Sequence, residues 1–255
     1  MGREMGSATY DPYCGPPPLP GGLWSAWNFD PLLLAALAFM ALGAFIWRSR
    51  DNGRRLALAA ATLVLFAAFV SPLCALSSAL FSARVLHHLL IVVIAAPLLA
   101  LVSLPGGASP PRGSLTVPVL LHAAMLWLWH TPGPYAWALG GHAQYWLMET
   151  TLLVSAVWLW RGILAARARP GAAIAALLAT MVQMGFLGAL LTFAQRPLFA
   201  PHFLTTEPFG LSALGDQQLA GLMMWVPGAL PYLATAIWLL VGFLGGVPRA
   251  RERAP

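Results

Sequence analysis

VLHHLLIVVIAAPLLALVSL, residues Val85 to Leu104, decides the fold of this chain. It holds no Asp, Glu, Lys or Arg and runs for 20 residues, about the length a helix needs to cross a hydrocarbon core of about 30 Å. Its apolar residues do not alternate, which argues against a barrel strand. Lipid offers no partners to exposed backbone groups, so a helix is the expected form. Two adjacent histidines, His87 and His88, sit in its first turn.

Working outward, similar segments recur. Seven spans are expected, at Pro31–Trp47, Leu56–Val70, Val85–Leu104, Leu115–Trp129, Tyr145–Trp160, Ala172–Phe193 and Leu219–Leu244. The second is short and is expected to extend toward Leu80 past a break at Pro72. Some loops are too brief to hold a domain, so the reading is one all-α membrane bundle. The expected division is an extracytoplasmic Pro/Gly-rich arm over 1–30, a seven-helix domain over 31–246 and a basic cytoplasmic tail over 247–255.

Composition agrees. The chain is 59% hydrophobic and 9% charged over 255 residues, where soluble domains carry about a quarter charged. All 14 basic residues are Arg, at segment ends rather than in a basic stripe, which gives no reason to expect nucleic acid. With the amino terminus outside, Arg48, Arg50, Arg54, Arg55, Arg112, Arg161, Arg167, Arg169, Arg249, Arg251 and Arg253 fall in the cytoplasm. Arg3, Arg84 and Arg196 fall outside, a split in the direction of the positive-inside rule. The first 30 residues lack a basic stretch followed by an apolar core, so the first span is expected to serve as an uncleaved insertion signal. Pro and Gly exclude a helix in the arm through Gly22, and Trp24 and Trp27 suit the membrane interface.

Five of six histidines, His87, His88, His130, His142 and His202, fall at one expected end of the bundle. Cys14, Cys74, Asp216, Met223 and Met224 share that side. Thiolates and thioethers favour Cu(I), and imidazole serves copper, zinc and iron, so this inventory leans toward copper. Each residue also has a plainer reading. The two cysteines could form a disulfide, Asp216 could cap the seventh span, and mid-span His122 suits a helix-to-helix hydrogen bond. His87 and His88 point about 100° apart on a helix, so one of them is expected to be structural. Met181 and Met184 read as packing. Glu149 is the only acidic residue inside an expected span and shares a stripe with His142, Tyr145 and Trp146. A carboxylate there is functional by default, or bonds a neighbouring helix. Pro227 and Pro231 are expected to kink the seventh span.

DQQLAGLMMWVPG (Asp216–Gly228), WHTPGPYAWAL (Trp129–Leu139), FSARVLHHLLIVVIAAPLLAL (Phe81–Leu101) and the arm pieces PYCGPPPLP and WNFDP together resemble the multi-span cytochrome c oxidase assembly factors of the CtaG type. The resemblance covers nearly the whole chain. It implies a non-enzymatic assembly factor of a bacterial inner membrane that binds Cu(I) at the outer face. The partners implied are heme–copper oxidase subunits or copper chaperones. The ligand set expected is Cys14, Cys74, His88, His130, His142 and Met224, supported by His87, Glu149 and Asp216. The chain departs from the family where Arg84 stands in place of a histidine, and where Tyr145 and Trp146 follow His142 in place of another. Cys14 and Cys74 are the expected substitutes. Competing readings are a heme- or quinone-linked electron carrier, a copper permease, and a scaffold that holds an oxidase subunit.

Overall fold

The computed structural model describes residues 10–46, 52–104, 114–166 and 169–246. Among these every regular element is helical. The helices are α1 (Pro31–Ile46), α2 (Asn52–Phe69), α3 (Pro72–Ala79), α4 (Phe81–Leu89), α5 (Ala96–Ser103), α6 (Thr116–Trp129), α7 (Pro132–Ala138), α8 (His142–Ala165), α9 (Pro170–Thr192), α10 (Ala213–Trp225) and α11 (Leu230–Gly246). Five stretches are long and apolar enough to cross a membrane: α2, α4 through α5, α8, α9, and α10 through α11. Two shorter apolar helices, α1 and α6, fall on the remaining expected segments. Arg3, Arg48, Arg50, Arg112, Arg167, Arg249, Arg251, Arg253 and the expected tail 247–255 lie outside the described residues.

Local chemistry sets the helix ends. Asp30 accepts from the Leu33 amide at 2.8 Å to start α1, and Ser71 accepts from the Leu73 amide to start α3 after the Pro72 break. Asn28 donates to Phe69 O at 3.1 Å and its amide donates to Val70 O, tying the arm to the carbonyl end of α2. Among its described residues the arm contains a three-ten turn at Pro20–Ser25, so the exclusion of helix through Gly22 holds only over residues 10–19.

Span three is not one regular helix. Between α4 and α5 the backbone takes a π turn over Leu90–Ala95. Pro97 follows directly, and its ring lacks an N–H and crowds the carbonyl four residues earlier, which widens the helix there. The Trp160 indole donates to Val92 O at 3.0 Å, so a carbonyl of the widened turn is satisfied from α8.

The last span breaks at Val226–Ala229, between α10 and α11, as Pro227 predicts. α10 packs on α9 and α4, α5 on α8 and α2, and α6 on α8. At the α9/α10 crossing, a Cβ on Gly188 would lie 2.7 Å from Gly221 O, and one on Gly221 would lie 2.5 Å from Gly188 O. Only glycine allows that approach.

Candidate functional site

The centre of the site is Glu149, on the buried stripe of α8 that also carries Tyr145 and Leu152. α4 presents Arg84, His87 and His88 to it. Glu149 Oε1 accepts from Arg84 Nη1 at 3.3 Å and lies 3.2 Å from His88 Nε2 and 3.6 Å from His87 Nδ1. The last distance is too long for a hydrogen bond. Arg84, His87, His88 and Glu149 are between 0% and 2% exposed. One structural histidine was expected from the angle between neighbours on a helix, yet both imidazoles reach Glu149. The carboxylate sits between the two directions instead of on either one. Arg84 precedes His88 by one helical turn and lies on the same face.

The surroundings are aromatic. Phe69 meets His87 edge to face with ring centres 4.8 Å apart, and His130 meets His88 in the same manner at 5.3 Å. The Arg84 guanidinium lies 5.1 Å from the Tyr145 ring centre. Tyr13 of the arm stacks on Tyr145 at 5.0 Å. The His88 and His130 rings touch, so no porphyrin fits between them.

This arrangement can hold a cation. His87, His88 and Glu149 each offer a ligand atom, and these atoms lie within 4.8 Å of one another. Small side-chain rotations would bring them onto one ion, whose ligand bonds are about 2 Å. His87 Nδ1 and Nε2, His88 Nδ1, His130 Nε2 and Glu149 Oε2 are buried with no protein hydrogen-bond partner. Each buried unsatisfied polar atom costs about 1–3 kcal/mol. His130 Nδ1 lies 2.8 Å from Leu126 O. A carbonyl only accepts, so Nδ1 carries the proton and Nε2 keeps a free lone pair. The donor set of imidazoles with one carboxylate fits copper or zinc better than magnesium or calcium.

Other expected site residues lie elsewhere. Cys14 and Cys74 are joined in a disulfide with Cα atoms 5.2 Å apart, so neither offers a thiolate in this form. That corrects the expectation that they replace missing histidines. His142 is exposed and packs beside Tyr13, away from Glu149. Met224 is 2% exposed in the apolar core, and its carbonyl, like the end of Met184, adjoins Gly228. Neither residue joins the ligand group, which contains only His87, His88 and Glu149 among the described residues.

Asp216 does not cap its own helix. Ser212 does so, accepting from the Gly215 amide. The Asp216 carboxylate reaches across to α4, accepting from the Phe81 amide at 2.6 Å, the Ser82 amide at 3.2 Å and the Ser82 hydroxyl. Gln217 accepts from the Leu198 amide at 2.7 Å, and Gln218 donates to Ala194 O. The Asp-Gln-Gln motif thus anchors one end of the bundle. His122 pairs with Ser155 at 3.0 Å, the helix-to-helix bond expected of it.

Arg84 was not anticipated as a participant, and His202, expected at this end with the other histidines, takes a structural place. Arg84 was read as a gap in a histidine pattern, and it is the cation of the site. An arginine one turn before a histidine in an apolar run is itself the signal. His202 donates from Nδ1 to Ala79 O at 3.2 Å, and its Nε2 accepts from the Tyr135 hydroxyl at 2.6 Å. Burial pushes His202 down to about 3, with Ala79 O opposing and the Arg84 charge adding to the fall. Burial pushes the Tyr135 phenol up, while neighbouring Arg84 pulls it down.

A profile of cytochrome c oxidase caa3 assembly factors matches residues 38–245. No curated protein and no solved structure matches the chain. Because the match takes in everything from the middle of α1 to the end of α11, the chain belongs to the cytochrome c oxidase caa3 assembly factor (CtaG) family.

Proposed function

We propose that this assembly factor carries copper as cargo on His87, His88 and His130, with Glu149 as the charge that holds it. The observation that carries the reading is the concentration of unpartnered imidazole nitrogens around one buried carboxylate. The imidazoles supply donors of intermediate softness that accept both Cu(I) and Cu(II). The carboxylate offsets the ion's charge in a site with little water. Transfer to an oxidase subunit or a copper chaperone proceeds by ligand exchange and needs no bond-making catalysis.

The site lies at the extracytoplasmic end of the bundle in this reading. Burial of Arg84 removes it from the outer arginine count, which leaves Arg3 and Arg196 there and steepens the positive-inside bias. A disulfide at the same end suits an oxidising compartment. The membrane is then the inner membrane of a bacterium.

The test is titration of the purified, detergent-solubilised protein with Cu(I) under a competing chromophoric chelator. One ion per chain is expected, with at least tenfold weaker binding in His88→Ala and in His130→Ala. Unchanged affinity in both folded variants would remove the site. A wild-type protein that leaves all copper with the chelator would remove the cargo reading itself.

A further inference from the structure

Arg84 is fully buried one turn from the ligand group, and its charge is of the same sign as the cargo. A guanidinium in this place opposes a bound cation. It also has a second partner. Its Nη1 donates to Glu149 Oε1 at 3.3 Å, while its Nε and Nη2 have no protein acceptor. Its central carbon lies 5.1 Å from the Tyr145 ring centre, a distance at which a ring face attracts a cation. Tyr145 is held in turn by stacking on Tyr13 at 5.0 Å. Arg84 therefore touches two partners from one position, the Glu149 carboxylate and the Tyr145 ring.

We propose that Arg84 is a built-in competitor for the copper site: it pairs with Glu149 when the site is empty, gives up that bond when copper binds while staying over the Tyr145 ring, and re-forms it to promote release. This rests on the reading of the cluster as a copper site. The mechanism is differential binding between two states. In the empty state the Arg84–Glu149 pair neutralises a buried carboxylate that would otherwise be costly. Copper takes over that role, and the guanidinium, released from Glu149, keeps its contact with the Tyr145 ring. Its charge stays near the ion, so the loaded state is held less tightly than three imidazoles and a carboxylate would hold it alone. A carrier that must surrender its cargo needs such a limit on affinity. Arg84 is a positioning residue here, since it touches no metal.

Two measurements test this on the full-length protein in detergent. In the first, chelator competition gives the Cu(I) affinity of wild type, Arg84→Gln and Arg84→Lys. Glutamine keeps a hydrogen bond to Glu149 without the charge, so binding should tighten ten- to a hundredfold and extraction by chelator should slow. Lysine keeps the charge and should stay within about threefold of wild type. A merely structural salt bridge would leave Arg84→Gln equal to or weaker than wild type, which overturns the proposal. The second measurement needs no variant. Infrared difference spectra of wild-type protein labelled with ¹³C-arginine, recorded with and without Cu(I), should show a shifted guanidinium band. A flat arginine difference in protein that has bound copper overturns it too. Failure of wild type to bind copper is a separate outcome and defeats the cargo reading along with the inference.

Discussion

Two buried carboxylates, Asp216 and Glu149, face the same helix, and their surroundings could hardly differ more. Asp216, 0% exposed, uses both oxygens to accept from two amides and a hydroxyl at the start of α4. Glu149, 1% exposed, uses one oxygen for Arg84 and His88, and its other oxygen has no protein partner. A helix amino terminus has unpaired N–H groups and a partial positive charge, so it satisfies an anion completely. A cluster of imidazoles and one guanidinium leaves donors and lone pairs over. Burial of a charge is common to both sites, and only the surplus of unpaired donors and lone pairs separates an anchor from a site that can take a ligand.

The largest effect expected is the loss of the anchor. Asp216→Ala leaves the Phe81 and Ser82 amides and the Ser82 hydroxyl unpaired, at about 1–3 kcal/mol for each group. Thermal denaturation in detergent should show a loss of about 4 kcal/mol. The copper stoichiometry of the molecules still folded should not change. At the other carboxylate, Arg84→Met combined with Glu149→Gln removes both charges together, and stability should change by no more than about 1 kcal/mol in either direction. Equal losses at the two sites would erase the distinction between them.

A second contrast sets the electrostatic hold on α4 against the covalent hold on the arm. The disulfide links positions separated by 60 residues, and removing such a link costs about 2–4 kcal/mol. Cys14→Ser with Cys74→Ser should therefore lose about 2–3 kcal/mol and loosen Tyr13 from Tyr145. Copper affinity should stay within about threefold of wild type, because the proposed site takes its ligands from His87, His88, His130 and Glu149 and not from the bonded sulfurs. A large fall in affinity would return the cysteines to the ligand set. In wild-type protein unfolded without reductant, neither cysteine should take an alkylating label, and both should take it once reduced.

The helical class was legible from apolar run lengths alone, because a membrane leaves the backbone few alternatives. The break at Pro72 and the interruption near Pro227 followed from missing N–H groups. The site was only half legible. Glu149 and His88 stood out as polar residues in apolar runs, and His130 lay near the same end. Which polar groups meet depends on helix rotation and on the π turn after Leu90, and periodicity assumes a regular helix. Asp216 had a local use as a cap, and only the packing of α10 on α4 sent its carboxylate to the other helix. Cys14 and His142 misled for a different reason. Sharing an end of the bundle says nothing about contact: Cys14 is bonded to Cys74, and His142 is exposed beside Tyr13, while His87, His88 and Glu149 are buried together.

A small effect that depends on pH concerns His202, a buried group that is completely satisfied, like Asp216, but through neutral bonds. Its Nδ1 donates to Ala79 O and its Nε2 accepts from Tyr135, so it must stay neutral to keep both. Its folded value of about 3 lies below the ordinary 6.5. Between those values the unfolded chain binds a proton that the folded chain does not. The contribution is therefore fully present above about pH 6.5 and is lost as pH falls toward 3. From pH 7 to pH 5.5 the loss amounts to about 1 kcal/mol. Melting curves over that interval should slope downward toward acid in wild type, and the slope should be shallower by that amount in His202→Gln. The same slope in both proteins would mean that His202 is protonated or solvated in the folded state. The Tyr135 hydroxyl would then lose its acceptor, and with it the bond that holds the Pro132–Ala138 helix to the loop at His202.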